Sequence, residues 1–236
     1  MTHQPSFELP RNILIGLSGP AGSGKDTCAE ILHHQAGFET WAFAHPLRIE
    51  VKNAFCIELD MLSRRELKEV PTAALAINRC ADPAFINRMH WQDEDPTVPR
   101  SPRWIMQQWG TNYRRADDPA YWVKQTLAAV KTMRSLGRHR IVVTDVRFSN
   151  EAYTIKALGG LMMRVQRGPL DTLAGETAAH VSEAWTPPSG TAVVQNTGDI
   201  AQLQQEVPRV LIEALKAAPR LVEDGVVATE RRESSL

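Results

Sequence analysis

The stretch Asn12 to Thr27 reads NILIGLSGPAGSGKDT, and its two halves ask for different backbones. Asn12 to Leu17 is an apolar run of strand length. Gly19 to Thr27, GPAGSGKDT, follows it, and from Lys25 the composition turns helical to about Gln35. Strand, glycine-rich loop and helix in that order make a cradle for phosphate oxygens. Glycines at 19, 22 and 24, with Ala21 and Ser23 between them, let the backbone turn its N–H groups inward around phosphate oxygens, while the helix start adds partial positive charge. Lys25 would reach the β- and γ-phosphates of a nucleotide. Asp26 stands where a serine or threonine hydroxyl usually holds Mg²⁺, and Thr27 comes one residue late. A carboxylate can take that ion directly or through water, so metal chemistry is kept.

Outward from this stretch, helices and strands alternate. Thr40 to Phe43 reads as a short strand and Pro46 to Phe55 as a helix with proline in its first turn. Residues 57–102 are the least regular, with Pro71, Pro83, Pro96 and Pro99, and read as an insertion with helix around Leu59 to Val70. Ser101 and Pro102 open a helix that Gly110 is expected to end; Asp118 and Pro119 open another, with Trp122, Val123, Leu127 and Val130 on one face and Gly137 as its stop. Arg140 to Asp145, RIVVTD, is apolar through its middle, as suits a central strand covered on both faces. Asn150 to Leu158 reads as helix, Leu161 to Gln166 and Thr191 to Gln195 as strands, and Asp199 to Leu215 as a closing helix. The inner face of that helix is Ile200, Leu203, Val207, Val210, Leu211 and Ala214. Five strands joined by helical crossovers predict an α/β fold, a five-stranded parallel sheet wrapped by helices, with ligands at the carboxyl ends of the strands. The expected organisation is one domain over 1–217, with a lid at 167–190 and a mobile tail over 218–236.

Composition narrows the function. Of 236 residues, 43% are apolar and 23% charged, an ordinary globular balance, with 27 basic against 27 acidic side chains. That neutrality argues against a nucleic-acid polymer as partner and leaves small anions in a local basic cleft. The opening MTHQPSFELPRN has no signal-peptide pattern and no apolar run is long enough for a membrane span, so a cytoplasmic protein is expected. Cys28, Cys56 and Cys80 fit neither a disulfide framework nor a zinc site, and the adjacent His33 and His34 would make a poor chelate on a helix.

Four segments resemble the phage-type deoxynucleoside monophosphate kinases: the GKD of the glycine loop; FAHPLR at Phe43 to Arg48; PRWIMQQWGTNYRRADDPAYW from Pro102 to Trp122; and VVTDVRFSNEA from Val142 to Ala152. The last is similar to the family's DVRFPNEA almost throughout. Departures are His45 for the family's Asp, Asn112 for its usual Glu and Ser149 for proline, and Arg114 beside Arg115 leaves open which of the two is the family's arginine. Weaker matches run through RVQR, HVSE and VVQNTG, with Arg167, His180, Ser182, Glu183 and Asn196 as fixed points. The resemblance implies a P-loop kinase (P-loop NTPase) architecture with an inserted helical substrate-binding region. It also implies transfer of phosphate from ATP, with Mg²⁺, to a (deoxy)nucleoside monophosphate. In that reading Lys25, Asp145, Arg115 and Arg147 are catalytic, Asp26 and Asp145 serve the ion carried by ATP, and the glycine loop with Arg167 and Asn196 holds ATP. His45, Arg48, Gln107, Gly110, Thr111, Arg115, Arg147 and Glu151 face the acceptor. Kinases of a hydroxyl acceptor share the ATP site, and a nucleotide-gated binding module would need no acceptor arginines. A homodimer is left open.

Overall fold

The computed structural model describes residues 9–167 and 187–217. The sheet has five strands, β1 (Ile13–Ser18), β2 (Glu39–Trp41), β3 (Arg140–Val143), β4 (Leu161–Gln166) and β5 (Ala192–Gln195), all parallel, in the order β2-β3-β1-β4-β5. This is the predicted α/β sheet. β1 lies between β3 and β4, so the chain departs to one side and then to the other from β1, the switch point at whose carboxyl end sheets of this kind take their ligands. Every residue of β1 is buried, as an apolar run covered on both faces requires.

The helices are α1 (Lys25–Ala36), α2 (Ala44–Phe55), α3 (Leu59–Ser63), α4 (Pro83–His90), α5 (Pro102–Gln107), α6 (Tyr121–Ser135), α7 (Ser149–Ala157) and α8 (Ile200–Ala217). Two compact units emerge, one of residues up to Ala42 and from Ala129 onward, the other Phe43–Ala128. In the first, Cys28, Ile31 and Leu32 of α1 and Leu203, Val207, Val210 and Leu211 of α8 cluster with Ile13, Ile15, Leu17, Met163 and Val165. The α1 and α6 ends carry Gly37 at φ 66° and Gly137 at φ 79°, left-handed stops of the expected kind.

Several expectations are corrected. β2 stops at Trp41, because Phe43 is already the N-cap of α2 and is buried. Gly110 does not end a helix: α5 continues as a π-helical segment over Gln108–Arg115, and Gly110 lacks the left-handed backbone of a stop. Its missing side chain serves packing instead, since a Cβ there would lie 3.1 Å from Leu47 Cδ2. The helix expected over 59–70 is only α3 followed by a 3-10 turn, Arg65–Leu67. Helix α4 was hidden in the irregular stretch although its start repeats the Asp-Pro device seen at 118: the Asp82 carboxylate accepts from Ala84 N and Phe85 N, with Pro83 in the first turn. Leu127 and Ile200, assigned to inner faces, are 36% and 53% exposed. Of the lid expected at 167–190, residues 168–186, with His180, Ser182 and Glu183, lie outside the described residues, as does the tail expected from 218.

Candidate active site

In the first unit, the glycine loop turns off the carboxyl end of β1 and leads into α1. Ser23 N donates to Pro20 O at 3.2 Å, and Cys28 N to Gly24 O at 2.9 Å begins α1. Gly24, the N-cap, has φ 101° and a Cβ on it would come within 2.4 Å of Asn196 Nδ2; one on Gly19, at φ 141°, would come within 2.4 Å of Val165 O. Both positions therefore exclude any side chain, on conformation and on space. The loop is thus packed against the ends of β4 and β5, which local sequence does not reveal. Lys25 Nζ donates to Gly19 O (2.8 Å) and Pro20 O (2.7 Å), arched over the loop it would serve. Asp26 is exposed and Thr27 half-buried, while the Ser23 hydroxyl is buried without a hydrogen-bond partner among the described residues. Behind the loop, burial pushes the Cys28 thiol up to about 12, with the Lys25 charge opposing, so the thiol is a packing group there.

Asp145 lies just past β3. Thr144 N donates to Trp41 O (2.9 Å) and Val146 N to Leu17 O (3.0 Å), so the residues on either side of Asp145 are tied to β2 and β1 and its half-buried carboxyl group is set at the carboxyl end of the sheet. Beyond it the backbone N–H groups of Arg147 (2.8 Å) and Phe148 (3.2 Å) donate to Glu151 Oε2. Glu151 is 2% exposed. It fixes the turn that carries Arg147, whose side chain is exposed. Arg167, after β4, donates to Gly22 O at 3.3 Å, and Asn196, after β5, donates to Ser23 O at 2.8 Å. Arg164 stands on β4, its half-buried side chain keeping Nε buried with no hydrogen-bond partner among the described residues.

The second unit carries the other predicted residues. His45, near the start of α2, is exposed, and Arg48, one turn on, is half-buried, its Nε lacking a hydrogen-bond partner among the described residues. Gln107, Thr111 and Arg115 are half-buried along α5 and the π-helical segment, where Gly110 O accepts from Trp122 Nε1 at 3.0 Å. A π segment widens the helix and often accompanies functional sites. Around it is a network that sequence reasoning missed. Glu50 Oε2 accepts from Trp109 Nε1 and Arg114 Nε, both at 2.8 Å, and Glu50 Oε1 from Tyr121 OH at 2.6 Å. The Arg114 guanidinium lies 4.5 Å from the Tyr113 ring centroid, and Tyr113 OH donates to Asp82 Oδ2 at 3.0 Å. Burial and then the Asp82 hydrogen bond push the Tyr113 phenol up to about 12. Arg114 is therefore a member of the unit's polar core. The pair Arg114 and Arg115 divides in the structure, and only a partner 64 residues away shows it. The one signal available was the aromatic setting of Arg114, between Trp109, Tyr113 and Tyr121.

Among the described residues no three His, Cys, Asp or Glu side chains gather as a metal site, and no helix is long and apolar enough to cross a membrane. The hard carboxylate oxygens of Asp26 and Asp145 suit Mg²⁺ brought in by a polyphosphate.

A glycine loop turned between the first strand and first helix of an all-parallel sheet, with a carboxylate ending a neighbouring strand, defines the class of nucleotide-phosphate-handling folds. Residues 76–207, more than half of the chain, match the family described as deoxynucleotide monophosphate kinase, and the chain belongs to that family. A protein of Acanthamoeba polyphaga mimivirus named "Putative deoxynucleotide monophosphate kinase" is 28% identical over 165 residues, 66% of this chain and 74% of that one. A solved sugar kinase from Janibacter sp. HTCC2649, in its unliganded state, superposes with a TM-score of 0.40 at 12% identity, covering 89% of this chain and 98% of the other. A likeness that loose assigns neither substrate nor fold.

Proposed function

We propose that the protein moves the terminal phosphoryl group of ATP onto the phosphate of a deoxynucleoside 5′-monophosphate, yielding ADP and the diphosphate. The observation that carries this is the Lys25-bearing glycine loop at the carboxyl end of β1 in a chain of this family. Backbone N–H groups of the glycine loop cradle the donor phosphates and Lys25 swings from its own loop carbonyls onto them. Mg²⁺, when bound with ATP, neutralises charge on the transferred group; Asp26 and Asp145 are the residues to hold it. Arg115 in the second unit and Arg147 in the first are each assigned to the acceptor phosphate, because a guanidinium fork matches phosphate geometry. Glu151 holds Arg147's turn, while His45, Arg48, Gln107, Gly110 and Thr111 form the acceptor surface.

A phosphate acceptor needs no dedicated base. A phosphate monoester has its second pKa near 6, so at neutral pH its oxygen is already a nucleophile. The protein has only to align the two phosphates and offset their charge. ADP release measured across ribo- and deoxynucleoside monophosphates tests the reading. Stimulation by deoxynucleotides supports it, and a turnover that no monophosphate stimulates refutes it. Arg115→Met and Arg147→Met are each expected to lower kcat/KM for the acceptor by about tenfold to a hundredfold, since charge-assisted contacts are worth roughly 1.5–3 kcal/mol. ATP affinity stays near that of the parent protein in both. Loss of ATP affinity with acceptor KM intact would move the arginines to the donor side.

A further inference from the structure

The carbonyl groups of the glycine loop need restraint as much as its N–H groups need freedom. A peptide unit between residues 23 and 24 can present either its N–H or its C=O to a ligand lying in the loop, and an inward carbonyl repels phosphate oxygens. Glycine at 24 makes that flip cheap, because it is permissive of both orientations. Something outside the loop has to choose one.

The structure assigns that task to Asn196. Its amide Nδ2 donates to Ser23 O at 2.8 Å, across 173 residues of chain. The Asn196 backbone is itself anchored, since its N–H donates to Gln166 O at 2.7 Å. Contact is close enough that any Cβ on Gly24 would sit 2.4 Å from Nδ2, so Gly24 makes room for the amide as well as for the turn. Arg167 adds a longer bond from its guanidinium to the preceding carbonyl, Gly22 O, at 3.3 Å. Two consecutive loop carbonyls are thus held by donors from the ends of β4 and β5. The Ser23 hydroxyl takes no part in this, being buried without a partner among the described residues. Asn196 is a positioning residue: it acts on the donor's phosphates through the peptide that follows Ser23, with no need to touch the nucleotide base. This rests on the reading of the glycine loop as a phosphate site, and on nothing about the acceptor.

A ligand with phosphates and no base separates the two ways in which Asn196 could matter. Affinities of the full-length protein for Mg–ADP and for Mg–pyrophosphate are to be measured by titration calorimetry, for the parent, Asn196→Ala and Asn196→Asp. Unliganded melting temperature and circular dichroism are recorded alongside. Loss of one hydrogen bond that fixes the loop is expected to weaken both ligands by a common factor of about tenfold. Asn196→Asp is expected to lose more, because a carboxylate beside Ser23 O repels it. Asp is close in size to Asn, so it carries the test if the Ala variant does not fold. Equal losses for the two ligands with a near-parental melting temperature support the inference. A loss confined to ADP overturns it in favour of a base contact, and unchanged affinity for both overturns it outright. If the parent protein bound neither ligand, the phosphate reading of the loop would fall, and this inference with it.

Discussion

Replacing Glu50 with leucine removes the acceptor shared by Trp109, Arg114 and Tyr121. The Glu50 and Arg114 side chains are 22% and 27% exposed and Trp109 is 1% exposed, so water can replace the lost partner only in part. Leaving one member of a buried pair uncompensated costs about 3–5 kcal/mol. With about a quarter of the Arg114 side chain still exposed, we expect about 3 kcal/mol. A chain of this length melts roughly 2–4 °C lower per kcal/mol, which sets the expected drop near 10 °C. Tryptophan fluorescence followed on heating reads it, because Trp109 is within the network. The decisive comparison is a double-mutant cycle with Arg114→Met. If the ion pair is the main connection, the double variant loses less than the sum of the singles by about 1–3 kcal/mol. Strict additivity, or a Glu50→Leu protein that melts with the parent, would refute the claim that Arg114 belongs to the polar core.

Lys25→Ala is expected to abolish turnover while the melting temperature stays within a few degrees, because its ammonium donates to Gly19 O and Pro20 O of its own loop; parental rates would remove the loop from catalysis. Tyr113 should give stability an alkaline limb. Its phenol titrates near 10 when unfolded and is pushed up to about 12 when folded. The contribution is therefore complete below pH 10 and is lost as pH rises from 10 toward 12. Tyr113→Phe flattens that part of a denaturation-against-pH curve, and an unchanged limb would point elsewhere. Thiol titration with a disulfide reagent at pH 8 should show one fast cysteine, Cys56, which is exposed; Cys28 and Cys80 are buried, with thiols pushed up to about 12 and about 11. Two fast thiols before unfolding would contradict that burial.

Local rules were legible in the sequence wherever a feature is made within a few residues. The apolar run of β1, the glycines of the loop, the left-handed stop at Gly137 and the caps at Ser101 and Asp118 all act on neighbouring backbone, and the structure keeps them. Even the missed helix α4 was present locally, in Asp82 and Pro83. Tertiary structure alone decided matters where the partner is distant. Gly110 has the look of a helix stop, but the approach of Leu47 made it a packing glycine. Arg114 and Arg115 are indistinguishable as neighbours, until Glu50 claims one of them. Glu151 sits in a motif that suggests a ligand contact, yet its carboxylate is buried on two backbone N–H groups. Asn196 could be any strand-to-helix turn residue, until its amide is found on Ser23. For the three polar side chains the reason is common. Backbone conformation is set by sterics and hydrogen bonds spanning three or four residues, which a sequence displays. A charged or amide side chain has many partners available along the chain, and only the folded sheet selects one.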